Sequence, residues 1–227
     1  MPRQLGLDLP GITALGRADF LVAASNALAV TLIEDWQTWA GRKLVLTGPE
    51  GSGKTHLTHV WASLSGAQIC AAADLSDLDI PTLAQGQVAV EDVPQIAGDA
   101  EAQTALFHLH NLVLAEGHAL LLTGEGAATH WALDLPDLAS RIAGTHAVAL
   151  KTPDDALLSA VLAKLFSDRQ ITPKPDLIPY LIRRIDRSFA AARDIVAALD
   201  AASLAEKRPI TRSFAAAVLD NRVPPAR

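Results

Sequence analysis

Eight consecutive residues, Gly48-Pro49-Glu50-Gly51-Ser52-Gly53-Lys54-Thr55, constrain what this chain can fold into more than any other stretch. The glycines let backbone N–H groups curl around phosphate oxygens, Lys54 reaches the β and γ phosphates, and the Thr55 hydroxyl is offered to Mg²⁺. Such a loop needs a strand at its entry and a helix whose positive end faces the anion. Both are legible: Lys43–Thr47 (KLVLT) is a short β-branched and leucine run, and residues 55–64 return to helical spacing. The expected ligand is a nucleoside di- or triphosphate. A plain glycine-rich turn is the bland alternative, and the strand-loop-helix context weighs against it.

Further short apolar runs at 68–71, 88–90, 119–123 and 147–150 alternate with helical patterns at about 102–116 and 135–142. Strands that are nearly continuous in apolar residues belong to a parallel sheet covered on both faces. Before them, residues 25–40 read as one helix, with Leu28, Leu32, Ile33, Trp36 and Trp39 at three- and four-residue spacings. After Thr152-Pro153 the strand signal stops. Four helical stretches follow, 154–168, 175–184, 189–205 and 211–219, punctuated by Pro173, Pro175 and Pro209. The predicted fold class is therefore α/β, a parallel sheet between helices with a small C-terminal helical domain. Residues 1–15 are expected as an extended arm, 16–152 as the nucleotide-binding domain and 153–227 as the helical domain.

Half of the 227 residues are hydrophobic and 19% charged, which excludes wholesale disorder. A single Cys70 permits no internal disulfide, and the N-terminus lacks the pattern of an export signal, so a cytoplasmic location is expected. No apolar run approaches the roughly 20 residues that span a bilayer, and no membrane association is expected. Charge is unevenly spread: residues 1–150 hold 6 Lys+Arg against 16 Asp+Glu, and residues 151–227 hold 13 against 9. Neither half carries the dense cationic stripe of a duplex-DNA reader, so direct sequence-specific DNA binding is not expected.

A phosphate loop of this kind works with an acidic residue at the end of a neighbouring strand. Val88-Ala89-Val90-Glu91-Asp92 is the one candidate, with one carboxylate near Mg²⁺ and the other near the attacking water; a strand ending in solvated acids is the alternative. His56 and His59 stand three apart with no third ligand and read as a helix face, not a zinc site. His130-Trp131 reads as packing.

Three segments together, Phe20–Ala29 (FLVAASNALA), GPEGSGKTHLTH and VEDVPQIAGD, resemble the AAA+ core of the bacterial replication initiator DnaA. The resemblance runs from about Phe20 to Ser203. DnaA continues into a helix-turn-helix DNA-binding domain, for which a chain ending at Arg227 is expected to have no room. That shortening, with Gln4-Leu5-Gly6-Leu7-Asp8-Leu9 at the N-terminus, resembles the Hda (HdaA) family of stand-alone, DnaA-related AAA+ regulators. The family implies a regulator that binds the β-subunit sliding clamp on DNA and stimulates ATP hydrolysis by DnaA. Gln4, Leu5, Leu7 and Leu9 would bind the clamp, alternate leucines filling an apolar groove while the glutamine fixes register; a disordered leader or a first strand is the alternative for these residues alone.

The resemblance further implies roles for single residues. ADP or ATP would be held by Gly48, Pro49, Gly51, Ser52, Gly53, Lys54, Thr55, His56, Asn26 and, from the lid, Arg193 of a sensor 2 helix. Thr55 and Glu91 would hold Mg²⁺, with Asp92 beside them. Glu125 falls at sensor 1, where the family usually has Asp. Arg141, in Leu135–Arg141 (LPDLASR), would be an arginine finger acting in trans. Glu91 also replaces the family's usual Asp, so nucleotide is expected to bind while intrinsic hydrolysis is weak at most. An independent P-loop ATPase and a loader-type AAA+ adaptor stay open as other readings, as does a homodimer.

Overall fold

The computed structural model describes residues 20–222, without the side chains of the last two. The expected arm, with Gln4, Leu5, Leu7 and Leu9, lies outside the described residues. Five strands form one sheet: β1 (Lys43–Thr47), β2 (Gln68–Ala71), β3 (Val88–Glu91), β4 (Leu120–Gly124) and β5 (Ala147–Ala149). The order is β2-β3-β4-β1-β5 and every pairing is parallel. Thr47 pairs with Gly124, so the loop that follows β1 opens beside the end of β4.

Alternation along the strands divides the core. Leu44, Leu46, Ala89 and Leu121 face α1 (Ala27–Glu34) and α2 (Lys54–Ser65), meeting Ile33, Leu57, Val60 and Trp61. Val45, Val88, Val90, Leu120 and Leu122 point the other way, onto Leu106, Leu109 and Val113 of α4 (Ala100–Ala115) and Leu138 and Ile142 of α5 (Pro136–Ala143). A one-residue slip of any central strand would exchange its contacts between the two layers. A short α3 (Ile80–Leu83) packs on α4, between stretches with no strong periodicity in the sequence.

The predicted helix over 25–40 is shorter than its apolar spacing suggests. α1 ends at Glu34 and two 3₁₀ turns, Trp36–Thr38 and Ala40–Arg42, replace its last part. The Trp39 indole N–H donates to the Leu32 carbonyl at 2.6 Å, Gly41 and Arg42 have φ of 61° and 56°, and the chain folds back so that Trp39 stacks on Trp61 at 5.2 Å. The gain from that aromatic contact outweighs continued helix, whose spacing 36 and 39 would also satisfy.

Four helices complete the described residues: α6 (Asp155–Asp168), α7 (Leu177–Ile182), α8 (Phe189–Glu206) and α9 (Arg212–Arg222). They enclose their own core of Leu158, Leu162, Phe166, Leu181, Ile195, Leu199 and Phe214. Asp154 and Ser188 cap α6 and α8 by accepting from the N–H groups of Leu157 and Ala191, each cap contributing about 1 kcal/mol. No helix among the described residues is long and apolar enough to cross a membrane.

Candidate nucleotide site

The loop after β1 is shaped by three glycines that no larger residue could replace without movement. A Cβ on Gly48 would lie 2.6 Å from Ser52 Oγ and 2.9 Å from the Leu150 carbonyl oxygen. Gly51 and Gly53 adopt φ of 68° and 100°, and Gly53 stands at the N-cap of α2. This turns the first N–H groups of α2 toward the concave side of the loop, where an anion meets the positive end of a 12-residue helix. Lys54 Nζ spans the loop, donating to the carbonyls of Gly48 at 2.9 Å and Pro49 at 3.1 Å.

The acidic residues lie at the end of β3. The Thr55 hydroxyl donates to the Glu91 carboxylate, while burial pushes that carboxyl above its usual range, with Asp92 adding to the rise and His59 and Lys54 opposing it. Glu91 Oε1 and Ser52 Oγ are buried with no hydrogen-bond partner. Two orphaned oxygens flanking Thr55 at the mouth of a glycine cradle fit a Mg²⁺-nucleotide, which would supply partners for both. Asp92 takes a left-handed φ of 56°, and its N–H donates to the buried Thr123 hydroxyl at 3.2 Å, which ties the two strand ends together. Glu125 is exposed just past β4, its carbonyl accepting from the Trp131 indole at 2.9 Å. A Cβ on Gly124 would meet Pro94 at 2.5 Å and Trp131 at 2.6 Å, so only glycine closes this strand.

The helical domain rests on the loop itself. Phe189 N–H donates to the Gly51 carbonyl at 2.9 Å, and a Cβ on Gly51 would come within 2.6 Å of Ser188 Cβ. The Phe189 ring lies beside Gly53, and Phe20 meets the His56 ring edge-on at 5.0 Å. Arg193, on the same helix as Phe189, is exposed. Asn26 is buried, its Oδ1 accepting from Ala23 N–H and its amide donating to the Leu21 carbonyl, so it braces the segment that carries Phe20.

Arg141 lies elsewhere. It is an exposed side chain in the last turn of α5, and its carbonyl accepts from Lys43 Nζ at 3.3 Å and Thr145 Oγ1 at 2.7 Å. Lys43 begins β1 and the phosphate loop follows its last residue, so Arg141 is rooted at the opposite end of the strands, about 13 Å along β1. Phe20, Thr123, Ser188 and Phe189 are the site residues that sequence reasoning missed. Only the Ser188 cap, a serine just before an apolar helical run, left a local signal.

Residues 155–219 match the family model for the Hda lid domain. Among solved structures, domain III of the Thermotoga maritima replication initiation protein DnaA is similar with a TM-score of 0.82 at 16% identity, covering 93% of this chain and 98% of that one. AMPPCP-bound DnaA from Aquifex aeolicus gives a TM-score of 0.69 at 16% identity, over 80% of this chain and 63% of that one. The FIGL-1 AAA domain gives 0.66 at 14% identity, over 94% and 85%.

Proposed function

We propose, from a lid that matches the Hda lid model and a body that shares the fold of DnaA domain III, that this chain is a clamp-associated regulator that stimulates ATP hydrolysis by DnaA and so represses re-initiation of chromosome replication. The observation that carries the reading is the place of Arg141: exposed, rooted across the sheet from its own phosphate loop, and in no ion pair among the described residues. A guanidinium that cannot serve its own nucleotide is available to another subunit's. There it would stabilise the charge on the transferring phosphoryl group, an effect worth about 10³ to 10⁵ in rate.

In its own site, ADP or ATP is held by Gly48, Pro49, Gly51, Ser52, Gly53, Lys54 and Thr55, with His56 and the exposed Arg193 bordering it and Asn26 acting through the segment that it braces. Thr55 and Glu91 would hold Mg²⁺, which would neutralise phosphate charge when bound. Glu91 is longer than the Asp usual in the family and partly buried, Asp92 stands second, and Glu125 replaces a shorter acid at sensor 1. These departures favour a nucleotide held as a regulatory ligand over rapid turnover. The arm residues Gln4, Leu5, Leu7 and Leu9 dock on the clamp in the cytoplasm.

The test is ATP turnover by DnaA on clamp-loaded DNA. Stimulation is expected with the parent chain and is expected to fall at least about a hundredfold with Arg141→Ala, at unchanged melting temperature. Full stimulation by that variant, or substantial turnover by this chain alone, would overturn the reading in favour of an independent ATPase.

A further inference from the structure

Phe107, His110 and Leu114 lie along one stripe of α4, at spacings of three and four. A cation is laid on each. The Arg141 guanidinium carbon is 5.2 Å from the Phe107 ring centroid, Lys43 Nζ is 3.3 Å from His110 Nε2, and Arg42 Nη2 donates to the Leu114 carbonyl at 3.0 Å. Seven residues of helix make this row about 10 Å long.

Between residues 20 and 150 the only other Lys or Arg is Lys54, in the phosphate loop, so this acidic stretch gathers its remaining cations in one line. None of the three takes part in an ion pair among the described residues. Repulsion between Arg141 and Lys43 registers in the row. Lys43 is lowered by burial and by Arg141, and His110 is pushed down to about 4 by burial first and Lys43 second. Arg42 also holds a left-handed φ of 56°, a conformation that a residue with a Cβ rarely adopts. Positive charge is thus concentrated where no carboxylate among the described residues pairs with it.

We infer that the row Arg141–Lys43–Arg42 is an anion-recognising docking strip whose occupant is the phosphate-bearing mouth of a facing, ATP-loaded AAA+ subunit. The strip rests on the reading of Arg141 as a residue that acts in trans, and extends it: Arg141 serves the rate, while Lys43 and Arg42 hold the partner. Charge complementarity supports that occupant. The mouth that this fold builds, as seen in this chain, carries Glu50, Glu91, Asp92 and Glu125 in addition to any bound phosphates.

The test compares the full-length chain with Lys43→Met, Lys43→Arg, Arg42→Gln and Arg141→Ala, in binding to ATP-loaded DnaA at low and moderate salt and in stimulation of its ATPase on clamp-loaded DNA. Lys43→Met and Arg42→Gln are each expected to weaken binding about tenfold at low salt, raise the half-saturating concentration in parallel, leave the maximal rate within about twofold, and flatten the salt dependence. Lys43→Arg should restore binding, and all variants should keep the parent's affinity for ADP. If the parent binds and is stimulatory but Lys43→Met and Arg42→Gln match it at both salts, the strip is wrong while the role of Arg141 stands. If Arg141→Ala stimulates fully, or the parent does not bind, the trans reading fails and the strip with it. Loss of affinity for a bare DNA duplex, with binding to ATP-loaded DnaA unchanged, would assign the row to nucleic acid and overturn the proposal.

Discussion

His110 illustrates how a single buried side chain sets a pH limit on this protein. Its ring is 2% exposed, and Nε2 faces the Lys43 ammonium, which can only donate, so the neutral ring carries its proton on Nδ1, 3.4 Å from Asn111 Oδ1. Burial, Lys43 and Arg141 disfavour the charged form, and the Asn111 bond opposes them only in part. In the unfolded chain the imidazole protonates near 6.5, in the folded one near 4, so the unfolded state binds more protons between these values. The stability is fully present above about pH 6.5 and is lost as pH falls toward 4, by up to about 2 kcal/mol between pH 7.5 and 5. The parent protein is expected to melt lower at pH 5 than at pH 7.5, and His110→Gln to show a smaller drop; equal drops in thermal melts of both would remove His110 as the cause. Lys54 and Thr55 were legible in the sequence because their chemistry is set by residues within one turn of chain. Thr123 was not, because its hydroxyl meets Asp92 N–H across 31 residues and only strand pairing brings them together.

At the level of elements, the phosphate loop and α8 are one mechanical unit. Gly51 has φ of 68° and its absent Cβ leaves room for Ser188, whereas Gly98, at φ of 80°, has nothing within 4 Å of that position. Both glycines incur backbone strain when replaced, but only Gly51 incurs a collision as well. Gly51→Ala is expected to destabilise the protein by about 1 to 3 kcal/mol more than Gly98→Ala and to lower ADP affinity about tenfold, read by denaturant melts and nucleotide titration. Matching behaviour of the two variants would show that the lid does not depend on this contact. Strands and lid helices were readable because their apolar runs are short and sharply bounded. The stretch 25–40 was misread because Trp36 and Trp39 satisfy helical spacing while packing on Trp61 from a reversed chain, an arrangement fixed by α2 and invisible to periodicity.

Across the described residues, two apolar layers share the sheet and a third core closes within the lid, and the lid touches the body where Phe189 N–H donates to the Gly51 carbonyl of the loop after β1. The parallel topology was legible from alternating runs and helices, whereas the strand order was not, since periodicity does not say which strands become neighbours. On the proposed role of the arm, removal of residues 1–9 is expected to abolish clamp binding in a pull-down while leaving ADP affinity unchanged. Undiminished capture of the clamp by the shortened protein would move the docking surface onto the folded body.

Because α8 begins on the phosphate loop and runs for 18 residues, it extends about 27 Å from the site. A tilt of about 10° at Ser188 would sweep its far end, near Glu206, through about 5 Å. Any change of angle where α8 meets the loop would thus be magnified along the helix, as the tip of a pointer travels farther than its pivot.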